Sequence, residues 1–391
     1  PSIYLGLYPD GRVGPGKDGS LSNTLAALLE GGEKKTVSNT MTGKFSLSYK
    51  PIKDLTLTAN LTPTVGTVSI KEMKKAIPVY DAYETDVMLG YVSGYTSNSL
   101  SEERRNIKSL EKQFIATYDK TFSKVHNFNA MVGYEDYSYT YETMSGSTND
   151  ISLSSFPYLD LANKNALAVA GNSYQNAYRS FFGRVMYNYD SRYYLQLNAR
   201  EDGSSRFHKD HRWGFFPSFS AGWRVSEEAF FTQAKNYVSN LKLRLSYGSL
   251  GNQKTVGYYD YLQLINTGAV MNYAFGDTTK GDYAYESAPN STDLTWETVI
   301  TKNIGLDLGF LNNRLNVSFD AYIRDTKDML MAGKTLPGVY GASSPRMNVA
   351  DLRTKGWEAS VTWGDSFTLA SKPFNYRVMA GIGDNLSLIH I

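Results

Sequence analysis

The chain has no cysteine, which excludes disulfides, thiolate metal sites and cysteine nucleophiles together. Only four histidines occur in 391 residues, leaving little for imidazole metal centres or acid–base chemistry. Charge of one sign is lacking too: 40 Lys and Arg stand against 38 Asp and Glu, a formal net charge of +2, so no basic strip offers itself to a nucleic acid. Long apolar runs are missing. The longest, Leu25 to Leu29 and Ala166 to Ala170, fall far short of the roughly 20 residues of a membrane helix. No charged segment followed by an apolar one opens the chain, so no targeting peptide is read there.

What the chain does have is 30 Tyr, 18 Phe and 33 Gly, a mixture that favours sheet and turn. Read with a step of two, several segments divide into an apolar and a polar face. Leu241, Leu243, Leu245 and Tyr247 alternate with Lys242, Arg244 and Ser246. Ile300, Ile304, Leu306, Leu308 and Phe310 oppose Glu297, Asn303 and Asp307, with Lys302 the exception on the apolar side. After the Leu311 to Arg314 turn the alternation resumes, Leu315, Val317, Phe319 and Ile323 opposing Asn316, Ser318, Asp320 and Arg324, which reads as a long hairpin. Tyr193 to Arg200, Phe215 to Arg224 and Trp357 to Trp363 repeat the signature, and weaker segments bring the count to about a dozen strands near ten residues long, enough for a tilted strand to cross a bilayer.

Short links, such as Ser123 to Asn127, Asp190 to Arg192 and Leu311 to Arg314, take turns with long segments, such as Thr67 to Lys112, Thr143 to Ala177 and Gly251 to Asp293. Structureless connections beyond about 15 residues are uncommon in compact soluble domains, whereas outer-membrane barrels have short turns on one rim and long loops on the other. Trp223, Trp296, Phe310, Trp357 and Trp363 fall near strand ends and read as an interfacial girdle. Soluble sandwiches also alternate, so the face that meets lipid decides between the two. On a barrel reading, Leu243 faces lipid near the midplane, where arginine would cost about 2–4 kcal/mol, while Lys242 is tolerant.

Catalytic patterns are scarce. His208 and His211 beside Asp202 suggest a metal pair, but on a loop two imidazoles at this spacing do not share a face; the better reading is an exposed loop, with no metal and no cofactor. Gly11, Gly14 and Gly16 lack the strand and the Lys-Ser/Thr of a phosphate loop and read as a turn. Asp307 and Asp320 on adjacent strands could imitate a glycosidase pair, but charges facing a barrel lumen are commonplace, and an enzyme is not expected. Tyrosines cluster in two long segments, Tyr80, Tyr83, Tyr91 and Tyr95 in one, and Tyr258, Tyr259, Tyr261, Tyr273, Tyr283 and Tyr285 in the other, with Asp260 and Asp282 among them. Such faces stack on sugars or peptides, or pack on one another.

Several segments carry a resemblance. Phe182 to Tyr189, Asp202-Gly203-Ser204-Ser205-Arg206-Phe207, Arg212 to Ser218, Ala221-Gly222-Trp223-Arg224, Arg244 to Gln253, Leu294-Thr295-Trp296-Glu297 and Lys355-Gly356-Trp357-Glu358 together resemble the barrel of the SusC/RagA family of TonB-linked outer-membrane transporters, with weaker likeness at Thr24 to Leu29. The resemblance implies an all-β fold, an antiparallel transmembrane barrel of about 22 strands, an N-terminal plug, a SusD-like surface lipoprotein as lid, and uptake of oligosaccharides or peptides driven by the TonB complex. An ungated porin and a soluble carbohydrate-binding β protein are the alternatives.

Against that pattern the chain reads as a partial barrel over residues 1–385, without plug or TonB box, and 386–391 resembles a translated sequencing adapter. The expected home is the outer membrane of a Gram-negative bacterium of Bacteroidetes type, with outer-membrane lipid as a further partner. Arg200, Lys242, Arg244, Glu297, Asp307, Asp320 and Arg324 are expected to face the lumen, and Tyr258, Tyr259, Asp260, Tyr283 and Tyr285 to touch substrate or lid.

Overall fold

The computed structural model describes residues 6–16, 19–81, 83, 84, 86–268 and 283–390. One short helix, α1 (Thr24–Glu30), is capped by Asn23, whose side chain accepts the Ala26 N–H. The strands are β1 (Gly32–Thr42), β2 (Phe45–Ile52), β3 (Leu55–Lys74), β4 (Pro78–Tyr80), β5 (Met88–Tyr91), β6 (Ser99–Phe122), β7 (His126–Thr148), β8 (Leu167–Tyr189), β9 (Tyr193–Ser204), β10 (Trp213–Arg224), β11 (Val238–Asn252), β12 (Ile265–Gly268), β13 (Tyr283–Glu286), β14 (Glu297–Phe310), β15 (Leu315–Ala332), β16 (Arg346–Leu369) and β17 (Lys372–His390).

One 13-stranded sheet runs β1-β3-β6-β7-β8-β9-β10-β11-β14-β15-β16-β17, with β2 also on β3. Because β1 and β2 pair in turn along β3, they are two stretches of one traverse, so the sheet has the dozen traverses expected. Neighbours in sequence are neighbours in the sheet, as hairpin connections dictate. The sheet order has β1 at one end and β17 at the other; β12–β13 and β4–β5 form separate small hairpins. Residues 386–390, set aside on sequence, extend β17 along β16.

The strands run much longer than ten residues: β6 has 24 and β7 has 23. Their extra length lies on the long-loop side, where Ser99 to Leu110 carries charges and no apolar face. The period-two signal disappears there because neither face meets lipid, yet the ladder continues, braced by ion pairs such as Lys71–Glu102 at 3.0 Å. The short connections at Ser123-Lys124, Asp190-Ser191 and Ala370-Ser371 each place two residues at positive φ, the backbone that matches the twist of a two-residue hairpin. Leu311, Asn312 and Asn313 do the same in the longer turn.

By contact density the chain forms two units, Pro1–Lys44 with Thr62–Leu110 and Tyr139–Gln175, and Phe45–Leu61 with Glu111–Ser138 and Asn176–Ile391. The first unit packs two small cores. Val13, Ala26, Ile77, Val79 and Val92 close one, with Tyr95 against it, and Met73, Leu100 and Ile151 the other. Its tyrosines divide accordingly: Tyr95 packs inward, while Tyr83 is fully exposed.

Among the described residues the second unit has a single buried cluster, Phe207, Phe216, Val256, Leu294, Trp296 and Leu330, drawn from loops and strand ends. Along the strands themselves burial is inverted relative to a water-soluble protein. In β9, Tyr193, Leu195, Leu197 and Ala199 are exposed, followed by Glu201 toward the long loops, while Gln196, Asn198 and Arg200 are partly covered. Leu197 is 45% exposed, Leu245 49% and Ile304 60%. Among the described residues no second sheet covers these side chains, and a contiguous apolar surface of this kind requires a non-aqueous neighbour. The chain is a partial antiparallel transmembrane β-barrel.

On β10, Trp213 and Trp223 end the apolar face; ten residues at about 3.3 Å each, tilted by 35–45°, give a band about 25 Å tall. Phe310 and Trp363 lie by the short turns as a girdle requires, but Trp296 does not belong to it. That ring is buried in the loop cluster, and its Nε1–H donates to the Arg212 carbonyl at 3.0 Å.

Candidate functional site

Register places Arg200, Lys242, Arg244, Glu297, Asp307, Asp320 and Arg324 on one face, opposite the exposed apolar one. Arg224 pairs with Lys242 and Gly222 with Arg244 across β10–β11; Lys242 pairs with Asp307, and Arg244 with Gly305, across β11–β14; Gly305 pairs with Asp320 and Thr301 with Arg324 across β14–β15. Arg200 joins through Phe216 of β10.

Arg244 is the hub. Its Nε and Nη2 donate to Asp307 at 2.8 and 3.0 Å, and Nη1 and Nη2 donate to Asp320 at 2.9 Å each. The Ser318 hydroxyl donates to Asp307 at 2.6 Å. Reaching Asp320, two strands away, requires the guanidinium to lie over the β14 backbone, and Gly305 permits it: a Cβ there would stand 2.6 Å from the guanidinium carbon. The carboxylates that might have formed a hydrolytic pair are thus both engaged by one cation.

Arg200 is used similarly. Its Nε donates to Asp202 at 2.7 Å and Nη2 to Ser180 at 2.8 Å, with Glu135 at 3.6 Å and the Phe182 ring beneath. Lys242 sits 4.8 Å over the Tyr194 ring, and Arg324 5.8 Å from that of Tyr322. A hollow of about 670 Å³ opens on this face in the second unit, lined among others by Asn127, Asn188, Gln196, Ser246 and Asn303.

Glu297 plays a different part. It is 5% exposed, accepting the Leu330 backbone N–H at 2.8 Å and the Asn252 amide at 2.8 Å. It therefore ties the ends of β11, β14 and β15 together beside the buried cluster. Arg206 donates from Nη1 to the Val256 carbonyl at 2.6 Å and lies 4.4 Å over the Tyr258 ring. Asn348 bridges Thr295 and Asp328, donating to their carbonyls at 3.0 and 2.6 Å. Backbone room is again required: a Cβ on Gly251 would stand 2.2 Å from the Phe216 ring. The motifs around Arg206, Gln253 and Trp296 thus weld long loops to the strand ends. Sequence showed them as a family likeness, but not as one cluster, since Phe207 and Leu330 are far apart in the chain.

The tyrosine segment is anchored to this weld. The Asp260 carboxylate accepts the Gly257 N–H at 2.7 Å and lies 3.9 Å from Arg346. Tyr259 and Tyr285 are both partly open to solvent. Tyr285 lies on β13, whose backbone also includes Tyr283. Tyr273 and Asp282 lie outside the described residues. The two loop imidazoles turn to different partners, His208 to Asp210 at 3.2 Å and His211 to Asp293 at 3.6 Å.

A family model described as "TonB dependent receptor-like, beta-barrel" matches residues 75–387. The chain belongs to this family. The TonB-dependent receptor SusC of Bacteroides thetaiotaomicron is 40% identical over 190 residues, covering 48% of this chain and 18% of that protein. TonB-dependent receptor P3 of Formosa agariphila is 31% identical over 314 residues, covering 77% of this chain and 30% of that protein. The solved structure of the RagAB peptide importer in the "open-open" state matches with a TM-score of 0.77 at 24% identity, covering 95% of this chain and 38% of that one; this is a likeness of fold. The chain spans less than a third of the length of the curated relatives it matches, between 18% and 30%.

Proposed function

We propose that this chain is part of the wall of an outer-membrane receptor that imports oligosaccharides or peptides, energised through TonB and closed on the outside by a SusD-like lipoprotein. The single observation carrying this reading is the sorting of side chains in the second unit. Apolar residues are exposed on one face, while on the other charged residues are paired among themselves, as in Arg244 with Asp307 and Asp320. A wall with lipid outside and a wet lumen inside has this sorting; a soluble sandwich would have the reverse. The relatives are named as receptors, and the polar-face carboxylates are held by arginine rather than poised for acid–base work.

On this reading Arg200, Lys242, Arg244, Asp307, Asp320 and Arg324 line the lumen, with Glu297 at its upper edge. Tyr258, Tyr259, Asp260, Tyr283 and Tyr285 meet cargo or lid on the long-loop rim. The bacterium is of Bacteroidetes type, as the relatives' organisms suggest. The test is uptake of fluorescent oligosaccharides and peptides by cells in which the receptor is the sole route. Uptake should require TonB and fall when Tyr258 and Tyr259 are both alanine at unchanged surface abundance. TonB-independent uptake of small solutes would instead make the protein a porin.

A further inference from the structure

The connection between β10 and β11 differs from the other short turns of the second unit. It folds as three 3-10 turns, Val225–Glu227, Ala229–Phe231 and Ala234–Asn236, rather than crossing directly. Val225 and Ser226 are buried, but Phe230 is 71% exposed and Tyr237 80%.

Glu228 says which way this segment leans. Its carboxylate accepts the Tyr193 hydroxyl at 2.5 Å and the Trp223 Nε1–H at 3.0 Å, and Arg192 Nη1 donates to it at 3.4 Å. Tyr193 and Trp223 pair across β9–β10 and belong to the exposed apolar face. The turn is therefore clamped to the outer side of the wall, at the rim where that face ends. Phe230 stands two residues from the clamp. Arg192 and Lys235 lie in the same neighbourhood, each beside an acidic partner.

We infer that residues 226–237 form an interfacial anchor, clamped outward by Glu228, that presses Phe230 and Tyr237 into the phospholipid headgroup region beneath the apolar band. The occupant is lipid because Glu228 ties the segment to Trp223 and Tyr193, which belong to the lipid-facing band, and exposed Phe230 follows two residues on. Aromatic rings with cations beside them are the side chains that suit this layer, since the rings tolerate its mixed polarity and the cations meet phosphate. The inference does not depend on what the receptor carries.

Site-directed spin labelling tests it, in a receptor background from which any cysteine outside this cysteine-free chain has been replaced by serine. Nitroxides on Phe230→Cys and Tyr237→Cys, with Lys124→Cys on another short turn as the water reference and Leu245→Cys as the lipid reference, are placed in the full-length receptor. The receptor is reconstituted in phosphatidylcholine–phosphatidylglycerol vesicles, with folding confirmed by heat-modifiable migration. Accessibility to oxygen relative to a nickel chelate should be several-fold higher at 230 and 237 than at 124, and lower than at 245. Nickel accessibility equal to that at 124 puts the segment in water and overturns the inference. Low accessibility to both reagents means that protein covers it, and overturns it too. Glu228→Gln should raise label mobility and nickel access at 230 while leaving 245 unchanged; no change at 230 would remove the clamp from the inference.

Discussion

Replacing Leu245 by arginine puts a guanidinium into the deepest part of the lipid-facing band, and the register says where that is. Leu245 pairs with Ala221 on one side and Ile304 on the other. Below, Trp223 lies two residues from Ala221 toward the short-turn rim; above, Lys302 lies two residues from Ile304 toward the long loops. Strand tilt makes each sideways step change height in the same sense, so Leu245 falls midway between the two markers. Leu243, which looked central in sequence, pairs directly with Trp223 and lies nearer the rim. Arginine at a bilayer midplane costs about 2–4 kcal/mol and near an interface about 0–1. Leu245→Arg should therefore cost about 2–4 kcal/mol, Leu243→Arg less, and Ser246→Arg, on the polar face beside Ser220 and Asn303, close to nothing. The assay is reversible urea unfolding of the full-length receptor in lipid vesicles, followed by tryptophan fluorescence. Equal costs at 245 and 246 would refute the assignment of faces, and a larger cost at 243 than at 245 would refute the depth.

Glu297→Ala removes the acceptor of two donors in a buried setting and should cost about 1–3 kcal/mol for each one left unsatisfied, with faster hydrogen exchange at Leu330 as the local readout. Arg244→Met strands Asp307 and Asp320 side by side; because both are partly solvated, the loss should be about 1–3 kcal/mol rather than that of a buried pair, and Asp307→Asn with Asp320→Asn in the same chain should recover much of it. Hydrogen bonds from Tyr193 and then Trp223, with help from Arg192, hold the Glu228 carboxyl below the usual glutamate range. A carboxylate favoured in the folded state adds stability above its unfolded pKa and loses it as pH falls through the depressed folded value, so wild type and Glu228→Gln should differ in melting temperature at neutral pH and converge in acid. The 391-residue chain on its own has β1 and β17 at the ends of its sheet order, and strand edges without partners invite pairing with other chains; sedimentation in detergent should show association, and a monodisperse, cooperatively melting monomer would contradict this.

The alternation of Leu241 to Tyr247 and of Leu315 to Arg324 was enough to read strands, faces and hairpin turns, because period two is a local property of extended backbone. The apolar runs were too short for a helix that crosses a membrane, and the motifs around Arg206, Trp223 and Trp296 pointed to the family. Other features were invisible for definite reasons. The charged extension of β6 beyond the bilayer has no greasy side to report itself. The buried role of Trp296 depends on Arg212 and Phe207, which lie far away in sequence. Likewise, that Arg244 takes two carboxylates through the gap at Gly305, that Glu297 bonds Leu330, and that Glu228 turns outward to Tyr193 and Trp223 are facts of register. A one-residue slip would send each of those groups to the opposite face. The sequence by itself determined which residues alternate and which families of turn join them; the tertiary structure alone decided which strands stand side by side, and so which charges neutralise each other and which side chains are left for lipid.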